Sequence, residues 1–272
     1  REQKIAASMK YFDLGEIQFK GINNEDLGRF NPREFAFDFT YSRLLTENLS
    51  LGGALRYIHS NLTGALTTGN IDARPGNSVA VDLGIYYNKP FVSKNSTLSL
   101  GAAITNLGSK ITYSDANNRD FIPTNLRWGA AYTMELDPKN KLTFAMDFNK
   151  LLVPSPPRDN TTPLLSGIFG SFTDAPGGFS EEIQEIMISG GTEYWYNNTF
   201  AGRLGYFYEA FYKGNRQYLT GGVGFRYQKF GIDVAYIVPT NKRENALAET
   251  IRFTLMMNFE SKARENDSVT DN

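Results

Sequence analysis

Cysteine is absent from all 272 residues. A disulfide framework, a thiolate metal site and a cysteine nucleophile are therefore excluded, although compartment does not follow from that alone. Long apolar runs are missing too. No stretch reaches the roughly 18 consecutive apolar residues that mark a membrane-crossing helix, and mean hydropathy is slightly polar at -0.37. That test does not reach β-barrels, whose strands carry a polar residue at every second position. Charge of one sign is also lacking: 28 Lys and Arg against 29 Asp and Glu leave -1, so electrostatics gives no argument for nucleic acid. The single histidine, His59, has no identifiable partners for a triad or a His-based metal site, and a surface position is expected for it. The opening Arg1-Glu2-Gln3-Lys4 is not a signal peptide. Because strand pattern starts almost at once, the numbered chain is expected to begin inside a longer protein.

What the chain does have is aromatics and glycine, with 20 Phe, 15 Tyr and 25 Gly, a mix that suits strands and interfacial girdles. The closing segment is the clearest guide. In Ile251-Arg252-Phe253-Thr254-Leu255-Met256-Met257-Asn258-Phe259 the odd positions are all apolar and the even ones mostly polar. Period-two alternation of this kind makes a strand with two unlike faces. The pattern recurs at Phe35, Phe37, Phe39 and Tyr41 against Glu34, Ala36, Asp38, Thr40 and Ser42, and along about twelve segments in all, the first and weakest spanning 8–19. Each approaches the roughly 9–11 residues of a tilted membrane-spanning strand. The expected fold is therefore all-β, an antiparallel outer-membrane β-barrel over residues 1–260, followed by a charged periplasmic tail at 261–272. The apolar face would meet lipid and the polar face would line the lumen.

Connections alternate in length. Short ones fall at 44–48, 88–95, 135–139, 197–199 and 229–230. Long ones fall at 20–32, 61–77, 106–123, 150–185 and 239–248, with one short exception at 213–216. Short periplasmic turns and long extracellular loops are the habit of outer-membrane barrels; a soluble sandwich gives no reason for the parity. Counting inward from the short turns sets charges of opposite sign across from each other: Asp38 and Arg56, Arg127 and Asp147, Glu193 and Arg203, Arg226 and Asp233. Opposed charges on neighbouring strands attract. They read either as ordinary solvated pairs or as ion pairs crossing the lumen, and the second argues against a wide open pore.

The connection 150–185 is the longest. It holds Pro154, Pro156, Pro157, Pro163 and Pro176 and an apolar patch with Leu164, Leu165, Ile168, Phe169 and Phe172. Long loops with exposed apolar side chains invite a partner surface; the competing reading is a lid over the barrel mouth. Tyr194, Tyr196, Tyr206 and Tyr208 read as interfacial anchors, while Trp195 and Phe207 fall on the inward face. Gly221-Gly222-Val223-Gly224 is not a phosphate loop, because no helix follows it. Asp115 and Asp120 match no defined calcium loop. No nucleophile–base set is legible, so no enzyme, metal or cofactor is expected.

Several segments carry a resemblance. They are Lys10-Tyr11-Phe12-Asp13-Leu14-Gly15-Glu16-Ile17-Gln18-Phe19, Asn31-Pro32-Arg33-Glu34-Phe35-Ala36, Leu55-Arg56-Tyr57-Ile58-His59-Ser60-Asn61 and Gly190-Gly191-Thr192-Glu193-Tyr194-Trp195-Tyr196. Gly205-Tyr206-Phe207-Tyr208-Glu209 and residues 221–239 continue it. Together they resemble the PorV family of the Bacteroidota type IX secretion system, over nearly the whole chain. The resemblance implies a fourteen-stranded barrel of the FadL type with an N-terminal hatch. About twelve strands are legible here and nothing hatch-like precedes Ser8, so it also implies that the N-terminal part lies outside the numbered chain. In the bacterial outer membrane such a protein would take secreted cargo by its C-terminal signal domain at the translocon barrel. It would then deliver the cargo to the cell-surface attachment complex, without being the enzyme itself. The alternative is a FadL-type transporter of hydrophobic small molecules. Fold does not decide between them.

Overall fold

Alternating apolar and polar residues, rich in Phe, Tyr, Val and Leu, favour extended backbone because such side chains pack well on a pleated surface. The computed structural model describes residues 2–21, 23–62, 67–68, 71–114, 119–155, 162–241 and 250–259. Its strands are β1 (Gln3–Asp13), β2 (Ile17–Lys20), β3 (Asp26–Phe30), β4 (Arg33–Leu44), β5 (Leu49–Asn61), β6 (Thr67–Thr68), β7 (Ile71–Asp72) and β8 (Gly76–Phe91). Then follow β9 (Ser96–Gly108), β10 (Asn125–Glu135), β11 (Asn140–Leu151), β12 (Ile186–Tyr196), β13 (Phe200–Tyr208), β14 (Gln217–Tyr227), β15 (Phe230–Pro239) and β16 (Ile251–Met257). Two short helices, α1 (Leu164–Gly170) and α2 (Phe179–Gln184), lie between β11 and β12.

Twelve strands make one sheet in the order β1-β4-β5-β8-β9-β10-β11-β12-β13-β14-β15-β16. Every neighbouring pair is antiparallel and follows the chain, as in the wall of an up-and-down barrel. This is the all-β outer-membrane barrel fold. Large apolar side chains point outward along the whole wall, among them Phe37, Phe39, Leu55, Val79, Leu83, Phe144, Leu204, Val223 and Phe253, all exposed. An exposed apolar surface of that extent fits a lipid solvent, not water. Asp38 and Ser78, one residue out of phase with it, are buried.

The first strand differs from the expected 8–19. It starts at Gln3 and stops at Asp13, and Ile17–Lys20 turns away to pair with Asp26–Phe30. The break has a local cause. β1 pairs with β4 as far as Asp13 opposite Arg33, and Pro32 precedes Arg33 without an N–H to extend the ladder. Gly15 then takes a positive φ of 76°, and its N–H donates to the Asp13 carboxylate at 2.8 Å. Three short connections are tighter than expected and a fourth is displaced. The β4–β5 turn is 45–48; β8 runs on to Phe91, leaving a single 3-10 turn at Val92–Lys94; the β10–β11 turn is 136–139; and the β14–β15 turn keeps two residues but lies one position earlier, at 228–229. The short exception at 213–216 is in fact the connection 209–216, which contains a 3-10 turn at Phe211–Lys213. Asp115, Pro156, Pro157 and the tail 261–272 lie outside the described residues.

The small buried core lies at the long-loop end, where Ala80, Ile111 and Ile122 pack with Ile58 and Tyr113. It is built by the β9–β10 connection, which folds back through an Ile111–Asp120 bridge.

Candidate functional site at the long-loop end

Three residue groups matter here: an apolar helix pair, the ionic cluster beneath it and the charged networks of the inner wall. The helix pair comes first. α1 approaches the β9–β10 connection closely. A β-carbon at Gly167 would stand 2.5 Å from the Phe121 ring and 3.1 Å from Pro154, so only glycine permits the contact. Ile168, next to it, is only 5% exposed. That corrects one expected contact residue: Ile168 serves internal packing. Leu164 is partly buried, while Leu165, Phe169 and Phe172 are exposed as expected. Phe179 and Ile183 of α2 and Phe211 and Tyr212 of the next long-end connection are exposed as well, Phe179 at 80% and Tyr212 at 83%. The sequence reading missed these four because they fall outside the continuous run at 164–172. The connection is thus neither a structureless loop nor a patch wholly free for a partner.

An ionic cluster joins this connection to the barrel. Lys150, at the end of β11, donates to Glu182 at 2.9 Å and Glu185 at 2.6 Å. Lys213 donates to Glu181 at 2.6 Å and to the other oxygen of Glu185 at 2.9 Å. The Glu181 carboxyl is held below its ordinary value by Lys213 and by the Gly177 N–H. Burial works to raise Glu185, but Lys150 and Lys213 outweigh it and leave it lowered. Burial likewise opposes the charge on Lys213, and the two glutamates keep its value raised. No sequence signal marked this cluster, since its members come from the end of β11 and from two separate connections.

On the inner wall the four expected charge pairs have three outcomes. Asp38 and Arg56 are direct cross-strand partners and bonded, as are Glu193 and Arg203 at 2.5 Å. Arg226 is not across from Asp233. Its direct partner is Gly231, and Asp233 faces Gly224. The two still meet on the diagonal, through paired hydrogen bonds of 3.0 and 2.7 Å. Arg127 and Asp147 are not partners either. Arg127 faces and bonds Asn149 at 2.6 Å, and Asp147 lies opposite Gly129. In both hairpins the turn is one residue shorter or earlier than counted, which slides the ladder but keeps each side chain on its face.

The charges join into two networks. Arg203 links Glu193 to Asp233 at 2.8 Å and Asp233 links on to Arg226, with the Trp195 ring beneath both arginines at 5.5 and 5.3 Å. Arg56 reaches Asp38, Asp82 and Asn106, and Asp38 also accepts from Ser8 at 2.9 Å. Asp82, Asn106 and Asn149 were not read from sequence: Asp82 meets Arg56 on the diagonal of the next strand, Asn106 reaches it from two strands away, and Asn149 faces Arg127 only in a register that counting from the turn did not give. Phe207 stacks on Tyr218 at 4.7 Å. His59 stacks on Phe35 at 4.8 Å and bonds Asn77, an ordinary interfacial histidine. Among the described residues no group of His, Cys, Asp or Glu is arranged to hold a metal.

A family model described as type IX secretion system protein PorV matches residues 1–158. None of the curated proteins compared with the chain matches it. Among solved structures, the chain is similar to the toluene transporter TodX of Pseudomonas putida, at 12% identity and a TM-score of 0.49, covering 86% of this chain and 73% of that one. It is also similar to the toluene transporter TbuX of Ralstonia pickettii, at 14% identity and a TM-score of 0.43, covering 89% of this chain and 74% of that one.

Proposed function

We propose a function from one premise: the chain belongs to the PorV family of type IX secretion system proteins. On this reading it is an outer-membrane shuttle without chemistry of its own. It meets the C-terminal signal domain of secreted cargo at the translocon barrel and hands the cargo to the cell-surface attachment complex. Cargo is met outside the cell, so the long-loop end faces outward and the short turns face the periplasm. The observation that carries the reading is the set of exposed apolar side chains on α1, the segment after it, α2 and residues 211–212, Leu165, Phe169, Phe172 and Phe179 foremost. Large apolar and aromatic side chains at a protein's tip favour a protein partner, since burying them at an interface releases water. The charged networks speak against the second reading, a transporter of hydrophobic small molecules: they run across the inner wall from β1 to β9 and from β12 to β15.

The test is to replace residues 152–185 by a four-residue turn. The barrel should persist, since strand pairing does not depend on surface loop length and each doubling of a loop changes closure entropy by only about 0.6 kcal/mol. Heat-modifiable gel migration should stay unchanged, while cargo release and copurification of the translocon barrel in mild detergent fall sharply. Normal assembly with both at wild-type level would remove this connection as the docking element. Bound hydrophobic solute with no protein partner would favour the transporter.

A further inference from the structure

α2 should not hold its shape unaided. It has six residues, and isolated helices shorter than about 12–15 residues are marginal in water. Nor does apolar packing hold it, because its two large apolar side chains, Phe179 and Ile183, are 80% and 53% exposed. What it has are three carboxylates on consecutive turns of chain, Glu181, Glu182 and Glu185, and two lysines that meet them from the barrel end. Glu185 gives one oxygen to each lysine. Glu182 gives one oxygen to Lys150 and the other to the Ala175 N–H at 2.8 Å. Glu181 does the same with Lys213 and the Gly177 N–H at 2.6 Å. Every oxygen of the three carboxylates therefore has a partner. Lys150 is 5% exposed, and the side chains of Glu182 and Glu185 are about as enclosed. A solvated surface pair would show neither this enclosure nor this saturation.

We propose that Lys150 and Lys213 are positioning residues: by clamping the two glutamates of α2 and Glu185 at its C-terminal end they hold the apolar side chains of this connection and of residues 211–212 in one fixed arrangement for a protein partner. This rests on the docking role proposed above and names what sets its geometry. Lys213 also lies next to Phe211 and Tyr212, whose rings meet at 5.1 Å, so the clamp ties the two exposed apolar groups together. α1 needs no such device, because Gly167 packs it closely against Phe121 and Ile168 is buried.

The absence of native cysteine allows a clean probe. Ser180→Cys in α2 carries a single nitroxide label, and its motion is read by spin resonance in the full chain. The same preparations are assayed for copurification of the translocon barrel. With Lys213 present the label should be slow; Lys213→Met should make it fast and lower copurification severalfold, with barrel migration unchanged. Lys213→Arg, which keeps the cation, should restore both. A label that stays slow in Lys213→Met overturns the clamp. A label that becomes fast with copurification unchanged overturns the positioning role. The double variant Phe169→Ser, Phe179→Ser separates this from the docking role itself: if it leaves copurification intact while its label stays slow, the docking reading fails and the clamp stands as a structural device only.

Discussion

Asp233 sits between two arginines, accepting from Arg203 at 2.8 Å and from Arg226 at 2.7 Å. Removing its charge leaves two guanidiniums beside each other over one Trp195 ring with Glu193 as the remaining anion. Asp233→Asn should therefore lower stability by about 1.5–3 kcal/mol, the usual range for hydrogen bonds to charged groups, measured as a fall in the urea midpoint in detergent. An unchanged midpoint would mean that the inner wall is wet enough to screen the cluster. The outer wall obeys the opposite rule. Phe37 is half exposed on the apolar face, whereas Thr40 faces inward. Phe37→Arg should cost about 2–4 kcal/mol if it lies near the bilayer midplane, and Thr40→Arg little. Equal loss of heat-modifiable migration in the two variants would invert the assignment of faces.

At the scale of elements, hairpins show why charge alone does not fix register. Asp147 lies opposite Gly129, Asp233 opposite Gly224, and Arg226 opposite Gly231. At each of these glycines a β-carbon would stand within 3.0 Å of the opposing charged side chain, so the glycine leaves room for that side chain to lie diagonally. Pairing charge with charge by counting from the turn overlooks the glycine, and it misplaces both ladders in which a glycine faces the charge. The α2 clamp yields a prediction with a definite sign. Glu181 and Glu185 are held below their ordinary values, so their contribution is present above the ordinary glutamate range and is lost as pH falls through the lowered values. Lys213 is raised, so its contribution is present below the ordinary lysine range and is lost as pH rises through the raised value. The label at residue 180 should be slow across the neutral range and become fast in acid. A label equally slow in acid would mean that these carboxylates do not hold the helix.

For the whole molecule, the alternation of short and long connections assigns two ends, and the proposed role assigns them to the two sides of the membrane. Cysteine introduced at Thr173, in the exposed segment between the helices, should label with an impermeant reagent in intact cells. Cysteine at Lys139, in the β10–β11 turn, should label only after the outer membrane is opened. The reverse pattern would turn the barrel over and take the docking surface away from secreted cargo.

Period-two alternation determined the class of fold, the number of strands in the main sheet and the face of almost every strand residue, because face depends only on parity and survives an error in turn length. It also exposed the pairs Asp38–Arg56 and Glu193–Arg203, which lie directly opposite each other. Register in the hairpins at 127–149 and 226–233 was decided by turn geometry: the β10–β11 turn is only 136–139, and in the β14–β15 turn Gln228 takes a positive φ of 52° and the bend closes one residue early. The fate of residues 164–172 was decided by tertiary contact: Gly167 packs against Phe121, far away in the chain, Ile168 is buried and Phe169 is left out. The lysine clamp likewise exists only in three dimensions. Lys150 is at the end of β11, Glu185 just before β12 and Lys213 in the 3-10 turn between β13 and β14, and only the ordering of these strands side by side brings both lysines to one carboxylate.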